Sequence, residues 1–215
     1  MQEVANARPL RADARQNRDR ILAAARDVFV EQGAGAPLEE ISRRAGTGIA
    51  TLYRRFPDRL ALMRAVILDS LARTQEEARL AVEEEPDAFR ALTRYMHRAL
   101  DIRVAAVIPV LFEEVSLSDS ELRAASDAGA ARIQELIDAA KREGTLRPDI
   151  TFGDIGMLVV RLSRPLPGAL GRELNDQLGH RHLDLLINGL RAAPDDTATI
   201  DGPALTLEDL REYRP

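Results

Sequence analysis

Arg54 and Arg55 close a short run, Ile49 to Phe56, that also carries Ala50, Thr51 and Tyr53 and has its large apolar residues at Leu52 and Phe56. Helical spacing turns Leu52 and Phe56 to one side. It leaves Ala50, Thr51, Arg54 and Arg55 toward solvent, with Tyr53 at the edge. A guanidinium can bond the paired acceptors of guanine and a threonine methyl can touch thymine, so such a face suits the major groove of DNA. A solvated arginine surface would look similar, and the residues just before the run decide between the two. Ala45 and the turn Gly46-Thr47-Gly48 precede it, and Ile41 and Ala45 are spaced to pack against Leu52 and Phe56. The glycines are read as relieving the turn of side-chain clashes. Two short helices, a tight turn and a free outer face on the second helix make a helix-turn-helix.

Other residues that could do chemistry have plainer readings. His180 and His182 are two apart and do not share a helix face. The chain holds no cysteine and one further histidine, His97, so surface or dimer-contact roles are expected and no metal site. Glu83-Glu84-Glu85 and Glu113-Glu114 invite general acid–base work, but adjacent acids on a helix diverge and read as solvated faces. Met96, Met157 and the aromatic residues line either a core or a ligand cavity. No nucleophile–base pair is visible, so no enzyme activity and no cofactor are expected.

The elements that position the candidate face are helical nearly throughout, because Ala, Leu, Arg and Glu abound. Residues 1–16 read as a flexible basic arm. A helix is predicted over Arg18–Gln32, with Ile21, Leu22, Ala25, Val28 and Phe29 on one face and Gly33 ending it. Pro37 opens the second helix, which runs to about Ala45. Ile49–Phe56 is the third. Pro57 stops it, and Asp58 caps a fourth helix reaching about Glu84. Pro86 and Asp87 start a fifth helix through Phe89 to Leu100, followed by an apolar segment over Val104–Val115. A long helix restarts at Ser118–Ser120 and ends at Gly144. Thr151 or Asp149 caps the next, with Ile155, Met157, Leu158, Val159, Val160 and Leu162 as its core. Pro165–Gly171 is a loop, Glu173–Leu190 the last major helix, and 192–215 a polar tail with one turn at Leu207–Arg211.

Composition sets outer bounds. The chain has 215 residues, 45% hydrophobic and 30% charged, which fits an ordinary soluble protein with a sizeable core. Without cysteine, disulfides, thiolate zinc sites and cysteine nucleophiles are excluded. No signal peptide and no membrane span is expected, and the cytoplasm is the expected compartment. The net charge of −5 looks wrong for a DNA binder until it is divided. Residues 1–60 hold 11 arginines against 8 acidic residues, a net of +3, and the remainder is at −8. The phosphate-attracting end is the N-terminal one.

The stretch Arg18 to Leu62 resembles the tetracycline-repressor (TetR) family of bacterial regulators. Ile21-Leu22-Ala23-Ala24-Ala25, Phe29, Gly33, Ile41-Ser42, Ala45-Gly46, Thr51-Leu52-Tyr53, Phe56 and Arg59-Leu60 carry the resemblance. It implies an all-α fold: a three-helix DNA-binding domain over 17–62, then a helical ligand-binding and dimerisation domain over 63–191. It further implies that Tyr53 contacts a phosphate through its hydroxyl, and that Arg59, where the family usually has lysine, does likewise. Ile49, Ala50 and Thr51 would lie nearest base edges, Arg54 near backbone or bases, and Thr47 and Gly48 beside them. Arg15 and Arg18 would add backbone or minor-groove contacts. The chain departs from the family at Pro37, at Thr47-Gly48 and at Ile49, which puts the operator sequence in doubt more than the fold. Thr47 is read as capping the recognition helix in place of the family's serine.

The function expected from the resemblance is a repressor that binds a near-palindromic double-stranded operator as a homodimer, through helices near 151–163 and 173–190. A small-molecule effector would release it. A candidate effector lining is Met96, Leu100, Ile108, Leu111, Phe112, Ile133, Ile137 and Met157. An activator or global DNA binder is a second reading. A helical carrier or enzyme that has lost site-specific DNA binding is a third.

Overall fold

The structure, a computed structural model, describes residues 3–112, 115, 119–164, 166, 171–193 and 200–212. The described residues form ten helices: α1 (Glu3–Gln32), α2 (Leu38–Arg44), α3 (Ile49–Arg55), α4 (Arg59–Glu84), α5 (Ala88–Ile102), α6 (Val104–Phe112), α7 (Ser120–Arg142), α8 (Phe152–Leu162), α9 (Arg172–Leu190) and α10 (Leu207–Glu212). They divide into two compact units, one of Met1–Asp69 with Val107–Asp119, the other of Ser70–Ala106 with Ser120–Pro215. The division falls inside α4, a single continuous helix.

In the first unit, α1 buries Ile21, Leu22, Ala25, Val28 and Phe29, each fully shielded from solvent. Ile41 of α2, Leu52 of α3 and Leu62, Met63, Val66 and Ile67 of α4 complete this core. Each such side chain contributes roughly 1.5–3 kcal/mol by leaving water. Gly33 ends the contact-making part of α1 at φ 83, a left-handed conformation that favours glycine. Arg26 and Asp69 join α1 to α4 by an ion pair of 2.6 Å, with side chains only 9% and 13% exposed. Arg64 of α4 reaches Asp119 at 2.5 Å.

The N-terminus departs from the sequence reading. Residues from Glu3 onward continue α1 without a break, where an arm over 1–16 is expected. Ala, Arg, Leu and Gln in this stretch are strong helix formers, and the helix begun at residue 18 extends through them and through Pro9, which by itself disfavours a helix interior.

The second unit is built around α5, which buries Phe89, Leu92, Tyr95, Met96 and Ala99. Asp87 caps it, its carboxylate accepting from the Arg90 N–H at 2.8 Å. Facing side chains come from α7 (Ile133, Leu136, Ile137), α8 (Ile155, Val159) and α9 (Leu183, Ile187). Gly144 closes α7 at φ 67. Of the two candidate caps for α8, Thr151 serves: its N–H and hydroxyl both donate to the Asp154 carboxylate, at 2.7 and 2.9 Å. Met157 is expected in the core of α8 but stands 39% exposed. Ile155 and Val159, four apart, take the inward face, and Met157 lies between them on the other side.

The chain beyond α9 returns to this unit. Leu146 and Arg191 form an antiparallel bridge, and the Arg191 guanidinium lies 4.4 Å from the Phe89 ring centre. The Gly153 N–H donates to the Leu205 carbonyl at 2.9 Å, and α10 packs on α8. The expected turn at Leu207–Arg211 is therefore α10, capped by Thr206 and Asp209. Glu113-Glu114, Ser118 and most of the expected Pro165–Gly171 loop lie outside the described residues.

Candidate nucleic-acid interface

The geometry of the candidate face starts at the end of α2. Arg44 is the last residue of α2 and Ala45 its C-cap, and Gly46 follows at φ 62, which a side chain rarely adopts. The Gly46 N–H donates to the Arg43 carbonyl at 3.2 Å and the Thr47 N–H to the Ser42 carbonyl at 3.0 Å. These two bonds form the Schellman motif that satisfies the last carbonyls of a helix. Glycine is required at 46 by its backbone angle, not by crowding: an added Cβ would have nothing nearer than the Arg20 side chain at 4.0 Å. At Gly48, φ is −72 and a Cβ would meet nothing. The expected relief of clashes is thus absent at both glycines, and only Gly46 has a conformational reason.

Gly48, not Thr47, is the N-cap of α3, and no side chain caps it. Thr47 sits one residue too early, with its own N–H already engaged by α2. The Thr51 and Leu52 N–H groups turn back to the Gly48 carbonyl at 2.8 and 3.2 Å.

The turn aims α3 so that Leu52 is fully buried while Ala50, Tyr53, Arg54 and Arg55 are exposed. Phe56 closes the inner face. Tyr53 is 46% exposed. Thr51 and Ile49 are half-buried. The Arg54 guanidinium donates to the Thr51 hydroxyl at 2.9 Å, which lays it along the outer face of α3. Arg15 and Arg18 are exposed on α1. The structure therefore leaves Arg15, Arg18, Ala50, Tyr53 and Arg54 facing solvent.

Arg59 stands apart from these. Its Nη1 donates to the carbonyls of Ala34 and Ala36, at 2.8 and 2.6 Å, tying the start of α4 to the loop between α1 and α2. Sequence reasoning gives this residue to a phosphate, and no local signal revealed the two carbonyls 23 and 25 residues earlier. A brace on α2 was likewise missed. Glu40 accepts from Arg43 and Arg44, and those hydrogen bonds hold its carboxyl down at about 2. Arg44 also pairs with Glu31 of α1 at 2.6 Å.

The expected effector lining divides between the units. Met96, Leu100, Ile133 and Ile137 are buried in the second unit, and Met157 is exposed there. Ile108, half-buried, and Leu111, fully buried, belong to the first unit. The side chain of Phe112 lies outside the described residues. A separate cleft of about 320 Å³ near the start of α5 is lined by Glu85, Asp87, Glu135, Glu143 and the one basic residue Arg132, beside Ala91 and Leu136. Among the described residues no group of three or more His, Asp or Glu could hold a metal ion, and no helix is long and apolar enough to cross a membrane.

Comparison with known proteins agrees with this geometry. A family model described as bacterial regulatory proteins, tetR family, matches residues 21–66. A second, described as transcriptional regulator SbtR-like, C-terminal domain, matches 87–192. The HTH-type transcriptional repressor LfrR of Mycolicibacterium smegmatis is 33% identical over 143 residues, covering 64% of this chain and 70% of that protein. Among solved structures, the TetR transcriptional regulator SCO0520 from Streptomyces coelicolor superposes with a TM-score of 0.60 at 32% identity, over 82% of this chain and 99% of that one. The LfrR structure in complex with proflavine has a TM-score of 0.58 at 25% identity, over 79% and 95%. The chain belongs to the tetR family of bacterial regulatory proteins, and its function is transcriptional regulation.

Proposed function

We propose that the chain is a one-component repressor that binds a near-palindromic operator as a homodimer and is released by a small-molecule effector. The outer face of α3 carries the reading: Ala50, Tyr53 and Arg54 are exposed on a helix whose opposite face is anchored by a fully buried Leu52. Ala50 admits a close approach to base edges, Arg54 offers a donor pair to guanine, and Tyr53 offers a hydroxyl to phosphate. Arg15 and Arg18 add positive charge outside the recognition helix. DNA binding is assigned to residues 17–62, and effector binding and dimerisation to 63–191.

Dimerisation is assigned to α8 and α9. Met157, Leu174, Leu185 and Leu186 are large apolar residues that stand 39–62% exposed on these two helices. A two-fold copy would cover them as a four-helix interface. Two recognition helices about 34–36 Å apart then meet successive major grooves, which is why the operator should be near-palindromic.

The effector would bind in the second unit, and Met96, Leu100, Ile133 and Ile137 remain the proposed apolar contacts. The acidic cleft beside α5 supports a neutral or cationic compound. LfrR, solved with proflavine, supports a small-molecule effector as such. The effector acts only through its differential affinity for two conformers, one with recognition helices spaced for DNA. Helix α4, shared by both units, is the proposed lever. The protein works in the cytoplasm, where its operator is, and as a regulator, not an enzyme.

Substituting Tyr53 and Arg54 by alanine tests the reading. Both side chains are exposed, so folding should be unaffected while operator binding is lost. Unchanged operator binding in the double variant would overturn the assignment of the outer face of α3 as the DNA-contacting surface, and no operator binding by the unsubstituted protein would turn the reading toward a carrier.

A further inference from the structure

Arg59 opens α4, is half-buried, and has its guanidinium turned to the protein side. Its Nη1 carries two hydrogens. It donates to two acceptors, the carbonyls of Ala34 at 2.8 Å and of Ala36 at 2.6 Å. Both acceptors are main-chain groups of the loop between α1 and α2. The Ala36 N–H is spent on the Gly33 carbonyl at 3.2 Å, and among the described residues no backbone N–H reaches the Ala34 or the Ala36 carbonyl. Ala36 is buried, and a buried carbonyl needs a partner. Arg59 supplies it.

The places of the two ends in the chain give this brace a role. Its acceptors lie just before α2, and its donor lies just after α3, 23 and 25 residues further on. The whole helix-turn-helix, Leu38–Arg55, therefore sits inside the loop that the brace closes. The donor end is fixed in register, because the Asp58 carboxylate beside it accepts from the Ala61 N–H at 2.7 Å and caps α4. The other end of α2 is held separately, by the 2.6 Å ion pair of Arg44 with Glu31 of α1. Helix α2 is thus tied at both ends, and Arg59 ties its start to the helix that follows α3.

We propose that Arg59 is a positioning residue for DNA recognition: it clips the two ends of the helix-turn-helix together and so sets the attitude of α3, without itself gripping a phosphate. The proposal rests on the operator-binding reading above. Side-chain chemistry separates the two roles. A phosphate takes a lysine ammonium as a point charge. The clip needs two N–H bonds of one planar nitrogen, spread toward two fixed carbonyls at the end of a long side chain. A lysine ends sooner and carries a compact, strongly hydrated charge. Arg59→Lys therefore keeps the charge that a phosphate would use and breaks the clip.

The experiment compares the full-length protein with Arg59→Lys. Operator affinity is titrated over a range of salt concentrations, and backbone hydrogen exchange is followed without DNA. The clip predicts an affinity lowered about tenfold, an ordinary coupling between a remote group and a binding surface. The slope of log affinity against log salt stays the same. Exchange over Leu38–Arg55 becomes faster, and by more than over Ile21–Phe29 of α1. Equal affinity and equal exchange would overturn the proposal in favour of a phosphate contact. Faster exchange with undiminished affinity would overturn it too, leaving Arg59 a role in stability alone. In Arg59→Gln, a slope smaller than that of Arg59→Lys by about 0.9, the counterion release of one phosphate, would also overturn it. The unsubstituted protein gives a readout that needs no variant. Nitrogen-15 NMR should show the Arg59 Nη1 hydrogens as slowly exchanging signals that the operator leaves in place, and signals seen only with operator bound would overturn the clip. Failure of the unsubstituted protein to bind any operator would instead sink the reading on which the proposal rests, and the exchange measured without DNA would still decide whether the clip exists.

Discussion

Replacing Gly46 by alanine isolates the turn that aims the recognition helix. The residue sits at φ 62, and an added Cβ would meet nothing closer than 4.0 Å. The cost is therefore purely conformational, about 1–2 kcal/mol for a side chain in the left-handed region. In a chain of this size that lowers the thermal midpoint by about 2–8 °C. If the backbone relaxes to avoid the strain, the bonds from Gly46 and Thr47 to Arg43 and Ser42 are lost. Helix α3 is then aimed wrongly, and operator affinity falls by more than the stability loss implies. Gly46→Asn should recover part of both, because asparagine tolerates this conformation. Gly48→Ser is the control. At φ −72 with open space around it, serine adds the missing cap to α3 and should be neutral or stabilising by a few tenths of a kcal/mol. Thermal unfolding at fixed protein concentration and operator titration at fixed salt measure both effects. A Gly46→Ala protein as stable as Gly48→Ser would refute the assignment of the turn to backbone conformation.

Three further outcomes follow from the same structure. Arg26→Ala removes a 2.6 Å ion pair between side chains only 9% and 13% exposed and should cost about 1.5–3 kcal/mol in denaturant unfolding. Gly153→Ala puts a Cβ 2.5 Å from the Leu205 carbonyl; it should cost about 1–3 kcal/mol and expose residues 200–212 to protease, with the penalty disappearing in a chain truncated before residue 200. The Glu40 carboxyl, held at about 2 against an ordinary 4.5 by Arg43 and Arg44, stabilises the fold above the ordinary value and loses that contribution as pH falls from 4.5 toward 2. Acid unfolding of Glu40→Gln should lack this part of the pH dependence.

The helix-turn-helix was legible because its signals are local. Pro37, Gly46, Asp58 and the Leu52–Phe56 spacing each act within one turn of chain, and the structure keeps all four in those places. What stayed hidden depends on partners distant in sequence. His97 and His180, whose Nδ1 atoms meet at 2.9 Å, are 83 residues apart, and Arg59 finds its carbonyls across a loop. The Leu205 contact explains why Gly153 must be glycine, yet nothing near either residue announces it. Thr47 shows a different limit. Its residue type suits a cap, but the motif ending α2 uses two residues after Ala45 and shifts the cap of α3 to Gly48. At the N-terminus the structure runs α1 from Glu3 through Pro9, a residue that ordinarily interrupts a helix, so the local signal there points away from the helix the structure shows.

Selection of bound duplexes from random DNA, with purified full-length protein at a stated salt concentration, tests the central claim most directly. The account predicts an enriched near-palindrome whose half-sites lie about one helical turn apart, with enrichment lost in the Tyr53→Ala, Arg54→Ala protein. Binding that appears only at low salt, with no enriched sequence, would contradict it.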